Sequence, residues 1–181
     1  MSRPPDTYAL TTDRLGLRLM RVEDAESIFH GYASDPEAAR YMTFATATNV
    51  AETVAFLLAQ KRMFEDGHSI LWAIHYQDDG RFVGAIEMTN MEDSEGEVGF
   101  IIARPYWGRG IVPEALAAVL AFSNERLGLR KVRGRCDVDN VRSARVFQKL
   151  GFRNLGVMPD AALHPNLSAQ PRDARVFVYE F

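Results

Sequence analysis

Val98-Gly99-Phe100-Ile101-Ile102-Ala103-Arg104-Pro105-Tyr106-Trp107-Gly108-Arg109-Gly110-Ile111-Val112-Pro113-Glu114-Ala115 passes from an apolar run, through a loop with two glycines, straight into a helical pattern. Backbone N–H groups at such a helix start converge on one concavity, and the helix dipole adds positive potential, which suits a pyrophosphate. Gly108 and Gly110 let the backbone approach phosphate oxygens without a Cβ in the way, and Arg109 adds a charge-assisted contact. A Gly-x-Gly alone also describes an ordinary tight turn that holds Trp107 against a core. The dinucleotide fingerprint wants a third glycine where Pro113 stands, and the phosphate loop of nucleoside triphosphatases wants Gly-Lys followed by Ser or Thr. Neither pattern is met.

Upstream of this stretch, Leu15, Leu17 and Leu19 alternate with Gly16 and Arg18 and predict a first strand. Asp24 is placed to cap a helix carrying Ile28, Phe29 and Tyr32. A second helix starts near Asn49, with Glu52 completing a capping box and Gly67 ending it. Ile70 to Tyr76 and Arg81 to Met88 read as a hairpin closed by Gln77-Asp78-Asp79-Gly80. The acidic turn Glu92 to Gly96 then leads into a third strand, Val98 to Ala103. Downstream, Ile111 to about Leu127 is a helix stopped by Gly128, Lys131 to Val138 a strand, and Val141 to Leu150 a short helix stopped by Gly151. Phe152 to Met158 and Arg175 to Phe181 are strand-like, and Pro159 to Pro171 reads as a loop. The order β-α-α-β-β-β-α-β-α-β-β predicts one α/β (α+β) domain over residues 1–181: a mixed, mostly antiparallel sheet of about seven strands with helices on both faces.

A second informative stretch is Asp137-Val138-Asp139-Asn140-Val141-Arg142-Ser143-Ala144-Arg145-Val146-Phe147-Gln148-Lys149-Leu150-Gly151-Phe152. Its simplest reading is a capped helix with Asp139 or Asn140 as N-cap and Val146, Phe147 and Leu150 inward. The sharper reading places the Ser143 hydroxyl in the first turn, near the positive helix end, where it can donate to a developing thiolate.

Composition bounds the partners. The 181 residues are 47% hydrophobic and 25% charged, an ordinary globular balance, and the formal net charge of -3 argues against a broad nucleic-acid face. A single cysteine, Cys136, excludes an intrachain disulfide and a four-cysteine zinc site and fits a reducing cytoplasm. No metal is expected. Met1 to Leu10 has neither a basic stretch nor an apolar run, and no segment has the length to span a bilayer, so no membrane association is expected.

Taken together, Thr12-Asp13-Arg14-Leu15-x-Leu17-Arg18, Trp107-Gly108-Arg109-Gly110 with Glu114-Ala115, Asn140-x-x-Ser143 and Leu150-Gly151-Phe152 resemble the GNAT superfamily of N-acetyltransferases, in the branch similar to the RimJ/RimL ribosomal-protein enzymes. The resemblance covers nearly the whole chain and implies transfer of an acetyl group from acetyl-CoA to a primary amine, a small molecule or a protein N-terminus. By it, Trp107, Gly108, Arg109, Gly110, Ile111 and Val112 hold the pyrophosphate. Phe100, Ile101 and Ile102 line the pantetheine arm and offer an N–H to the thioester carbonyl, Asn140 contacts the arm, and Ser143 protonates the leaving thiolate.

Two positions depart from the pattern. Pro105 stands where a phosphate-binding side chain is frequent in the wider superfamily, and Ala161 and Ala162 fall where RimL-like enzymes carry their basic carboxylate. Glu87 and Glu97, ahead of Asp173, are the replacement bases, and each also reads as a solvated surface charge. His75, out of phase with Trp72, Ile74 and Tyr76, reads as a sheet-face residue. The missing carboxylate motivates the alternative of a coenzyme A-binding sensor without catalysis. For a homo-oligomer, an isologous dimer is the default expectation.

Overall fold

The computed structural model describes residues 5–181; part of the N-terminal stretch read above, Met1 to Pro4, lies outside the described residues. Eight strands form one sheet: β1 Leu10–Thr11, β2 Leu15–Leu19, β3 Ser69–Tyr76, β4 Phe82–Glu92, β5 Glu95–Ile102, β6 Lys131–Asp137, β7 Arg153–Ala162 and β8 Arg172–Glu180, in spatial order β1-β2-β3-β4-β5-β6-β8-β7. All neighbours are antiparallel except β5 and β6. The two-residue β1, paired to β2 through Leu10↔Leu17, is the strand not foreseen; two residues are too few for a periodicity.

The helices are α1 Ala25–Ile28, α2 Val50–Glu65, α3 Ile111–Leu127 and α4 Val141–Lys149. The first helical segment is broken where one amphipathic helix was expected: a 3-10 turn at Val22–Asp24, then α1, then a π-helical stretch at Phe29–Ala33. Asp24 does not cap α1. Its carboxylate turns back to accept from Arg21 N at 2.8 Å and from both Arg18 guanidinium nitrogens at 2.8 and 2.6 Å. At α2 the expected cap forms, with Asn49 accepting from Glu52 N while Glu52 takes Thr48 N, Thr48 Oγ1 and Asn49 Nδ2.

Loop lengths also differ. Asp93 and Ser94 both adopt positive φ, so a two-residue turn closes the β4–β5 hairpin and Glu92, Glu95 and Gly96 belong to strands. Strand β7 runs on through Pro159 to Ala162 past a register shift, and β8 begins at Arg172, so the loop is 163–171. Proline is tolerated there because β7 is the sheet edge.

Pleating divides the apolar residues between two cores. Trp72, Ile86, Met88, Val98 and Val132 face α3 and α4, while Leu71 and Ala85 face α1 and α2. Strand β3 is covered on both faces, which explains its unbroken burial from Ser69 to Ile74. Among the described residues no helix is long and apolar enough to cross a membrane.

Candidate active site

The sheet opens in its middle. Strands β5 and β6 pair in parallel only from Glu95↔Lys131 to Val98↔Gly134. Beyond that point β6 follows β8, through Arg135↔Val176 to Asp137↔Ala174, while β5 stays on β4 through Ile86↔Phe100, Ala85↔Ile101 and Gly84↔Ile102. The β6-facing edge of Gly99 to Ile102 is therefore left without a strand partner, and an extended ligand arm can add to it as a strand would.

At the end of β5 the chain enters the glycine loop. Gly108 and Gly110 have φ of 75° and 73°, the left-handed region that a side chain disfavours. A Cβ on Gly108 would meet nothing within 4 Å, so the loop presents bare backbone to open space at that point. Gly110 precedes α3, and the N–H groups of Ile111 and Val112 have no acceptor within the helix. The Ile111 side chain itself is in the core, so its share in binding is its backbone alone. Trp107 is pinned by Nε1–H donation to Ile102 O at 2.7 Å and lies under the Arg142 guanidinium, 4.4 Å from the ring centre.

Residues from two separate sequence marks meet behind this loop. Glu114 accepts from Thr12 Oγ1 at 2.5 Å, Arg14 N at 3.0 Å and Arg14 Nε at 2.8 Å, and Arg14 Nη2 donates to Arg109 O at 3.1 Å. The first strand is thus tied to the α3 start, and the tie holds the loop rather than any ligand.

Asn140 caps α4, its Oδ1 accepting from Ser143 N at 3.2 Å. The Ser143 hydroxyl makes no hydrogen bond among the described residues and lines a cleft of about 540 Å³. Glu87, Glu97, Gly99, Phe100, Ile101 and Asn140 line the same cleft. Cross-strand pairing puts Glu87 opposite Gly99 and Thr89 opposite Glu97, so both carboxylates rise from one sheet face with a bare glycine between them. Nothing lies within 4 Å of a Cβ built on Gly99.

The two carboxylates differ in environment. Burial pushes the Glu87 carboxyl above the usual range, only partly opposed by the Ser69 hydroxyl donating at 2.7 Å. Glu97 is engaged by Arg135 Nε at 2.7 Å and Nη2 at 3.2 Å. Asp173 is exposed, accepts from Asp160 N at 3.1 Å and is not among the residues lining the cleft. His75 likewise lies outside the cleft lining; desolvation and then the Arg18 charge lower its pKa, and it sits 3.3 Å from Arg18 Nη2.

Sequence reasoning missed the far wall of the cleft. The Asp137 side chain is fully buried, takes Arg172 Nε at 2.6 Å and Nη2 at 3.1 Å, and has its pKa lowered because these bonds outweigh a burial penalty. His164 is 5% exposed, with Nε2 unpartnered and 3.8 Å from Asp137 Oδ2. No local pattern could have signalled this cluster, since Asp137 lies 27 residues before His164 and 35 before Arg172. Cys136 also lines the cleft, and burial pushes its thiol up to about 11, so it stays protonated near neutrality and is a poor nucleophile.

An open strand edge leading to a glycine loop at a helix start, beside a cleft that holds an unbonded hydroxyl and a carboxyl of raised pKa, suits an extended ligand with a phosphorylated end. The chain belongs to the GNAT acetyltransferase family: the family model for an acetyltransferase (GNAT) domain matches residues 14–153. Its activity is therefore acetyl-CoA-dependent N-acetyl transfer. Among relatives, the uncharacterized N-acetyltransferase p20 of Bacillus licheniformis is 26% identical over 153 residues, covering 83% of this chain and 85% of its own. The solved structure of RimL, a ribosomal L7/L12 alpha-N-protein acetyltransferase in complex with coenzyme A, is similar with a TM-score of 0.85 at 17% identity, covering 95% of this chain and 97% of that one. RimJ of Mycobacterium smegmatis in complex with CoA-disulfide gives a TM-score of 0.83 at 20% identity, covering 92% and 81%.

Proposed function

We propose that the chain, as one domain over residues 1–181, acetylates a primary amine by direct attack within a ternary complex. The observation that carries this reading is the open edge of β5 from Gly99 to Ile102, flanked by the unbonded Ser143 hydroxyl and the half-buried Glu87 carboxyl in one cleft. Acetyl-CoA fits that geometry. Its pyrophosphate would be met by backbone N–H groups from Trp107 to Val112 with Arg109 alongside, and its arm by Phe100, Ile101, Ile102 and Asn140. When bound it supplies a thioester whose carbonyl carbon is open to attack.

This chain's residues do the rest. Glu87, whose raised pKa makes it a stronger base than an exposed carboxylate, accepts the proton that the acceptor ammonium must lose, directly or through one water. A backbone N–H of the open edge stabilises negative charge on the carbonyl oxygen. Ser143 Oγ donates to the departing sulfur from the first turn of α4, where the helix end favours negative charge. Glu97 is the weaker candidate for the base because Arg135 already holds it. The high pKa of Cys136 argues against an acetyl-cysteine intermediate.

The acceptor is a small-molecule amine or a protein N-terminus, the protein acts in the cytoplasm, and any homo-oligomer is an isologous dimer. The sensor alternative draws on Ala162, which lines the cleft without a carboxylate; Glu87 supplies the acid that Ala162 lacks. Calorimetric titration with acetyl-CoA, followed by thiol release against a panel of amines, tests the reading. Amine-dependent release that Glu87→Gln abolishes is the expected result. Binding without release for any amine would favour the sensor.

A further inference from the structure

We propose that the acceptor is a primary monoamine on an apolar skeleton of aromatic size, with no second charge: neither a polyamine nor a free amino acid. The proposal rests on the transferase reading above and concerns the acceptor half of the same cleft.

The wall opposite Ser143 is apolar and partly aromatic. Ile28, Tyr32, Phe44, Phe56 and Leu71 line it. Phe56 is 37% exposed although apolar, and its ring lies 6.4 Å from that of Phe44. Exposed aromatic side chains facing a cleft are surface that a ligand can cover, and their burial favours an apolar body.

The charges of the cleft disfavour a second ammonium. Four carboxylates line the cleft: Glu52, Glu87, Glu97 and Asp137. Arg135 engages Glu97 through two nitrogens and Arg172 does the same for Asp137. Glu52 is spent at the α2 start, where it takes three hydrogen bonds from Thr48 and Asn49. Glu87 and Glu52 have no cation partner; Glu87 is needed for the reacting amine, and Glu52 stands exposed on α2 with its oxygens already taken by three neutral donors. A polyamine's second ammonium would leave water for the apolar wall or find only Glu52, which would have to give up its hydrogen bonds to Thr48 and Asn49 and holds a charge weakly because it is exposed. A substrate carboxylate is disfavoured as well, because the cleft's arginine, Arg135, already holds Glu97.

Among the described residues, two buried side-chain polar atoms have no hydrogen-bond partner: Thr53 Oγ1 and His164 Nε2. Both residues line this cleft and both are more than nine-tenths buried. Buried polar atoms are seldom left unsatisfied, and a neutral hydroxyl or amide on the acceptor could serve them without adding charge. Two sources share this chemistry: a free arylalkylamine, and a peptide whose first residue is apolar.

The test measures thiol release at saturating acetyl-CoA with phenethylamine, the peptide amide Phe-Gly-Gly-NH2, spermidine and free phenylalanine. Expected is a kcat/KM for phenethylamine or the peptide at least about 100-fold above those for spermidine and phenylalanine, the better of the two identifying the source. Phe56→Ala should raise KM for that acceptor about tenfold with acetyl-CoA affinity unchanged. Equal or faster release with spermidine or phenylalanine overturns the proposal and leaves the transferase standing, as does no release with either apolar amine while another amine reacts. Failure to bind acetyl-CoA would sink the transferase reading beneath it.

Discussion

Adding one methyl group at Gly134 tests whether α4, and with it Ser143, is positioned by packing on β6. A Cβ there would stand 2.3 and 2.4 Å from Phe147 Cε1 and Cζ, where carbon atoms prefer about 3.5–4.0 Å. The ring would have to retreat by roughly 1.2–1.5 Å to restore that contact. It has little room, since Phe152 and Phe177 lie at 5.1 and 5.0 Å between ring centres, so the helix must move with it. Overpacking of this kind costs about 1–3 kcal/mol, which in a chain of this length lowers Tm by roughly 2–12 °C. Ser143 precedes Phe147 by one helical turn on the same face, and misplacement by about 1 Å costs on the order of 100-fold in rate. Gly134→Ala should therefore lower both Tm, by thermal melting, and kcat, by thiol release. Its acetyl-CoA affinity should change much less, because the pyrophosphate loop leads into α3. Adding Phe147→Leu, which shortens the offending group, should recover part of both losses. Wild-type Tm and kcat in Gly134→Ala, or a double variant no better than the sum of the singles, would refute the packing argument.

Glu87→Gln should lower kcat/KM by about 10²–10⁴-fold. The wild-type rate should fall as pH drops through a value above the ordinary carboxylate range, because burial raises that pKa and only the ionised form accepts a proton; a limb at an exposed glutamate's pH would displace Glu87. Ser143→Ala should reduce kcat by roughly 10²-fold or more with calorimetric acetyl-CoA affinity near wild type, and an unchanged kcat would take the hydroxyl out of the mechanism. Gly110→Val forces a β-branched residue to a φ of 73°; with about 1–3 kcal/mol of strain, acetyl-CoA affinity should drop roughly 5- to 100-fold in a protein of normal circular dichroism. Arg172→Met leaves the buried Asp137 carboxylate unpaired, at a cost of about 3–5 kcal/mol near neutral pH. Wild-type Asp137 has a lowered pKa, so its contribution is full above the ordinary carboxylate pKa and is lost as pH falls through the depressed value. The Tm gap between variant and wild type should narrow on acidification, and a constant gap would count against the pair.

Most of the fold was legible because its signals are local. Leu15, Leu17 and Leu19 alternate with a period of two, and Asn49, Gly80 and Gly128 punctuate the chain where a cap or positive φ is needed. The misreadings came where tertiary context competes with local pattern. Asp24 looks like an N-cap, but Arg18, six residues earlier, claims its carboxylate and the helix start shifts to a 3-10 turn. Pro159 looks like a loop opener, yet an edge strand leaves its missing N–H without consequence. Most of the proposed cofactor half, Phe100 to Val112, is one contiguous stretch whose strand, glycine loop and helix start are visible in the sequence. The acceptor half is assembled from α1, α2, the 41–47 connection, residues of several strands and the 163–171 loop, so Thr53, His164 and the Arg172–Asp137 pair carry no signal at any fixed spacing.

The two halves also occupy opposite faces of one sheet, and the splay between β5 and β6 is what lets them meet. Phe100 and Cys136 face α3 and α4, the side of the glycine loop and the Ser143 helix, whereas Ala85, Glu87 and Ile101 face α1 and α2. A continuous β5–β6 ladder would wall one chemistry off from the other. Ending the pairing at Val98↔Gly134 opens a passage, and two glycines keep it clear from either side: Gly99 leaves space below Glu87, and Gly134 lets the Phe147 ring seat α4 close to the sheet. A side chain at Gly99 would therefore narrow the acceptor's approach while leaving the pyrophosphate loop intact, and one at Gly134 would misplace the proton donor. The parallel pair β5–β6 is needed for this arrangement, because the α3 crossover that joins those strands is also the helix whose start is proposed to receive the pyrophosphate.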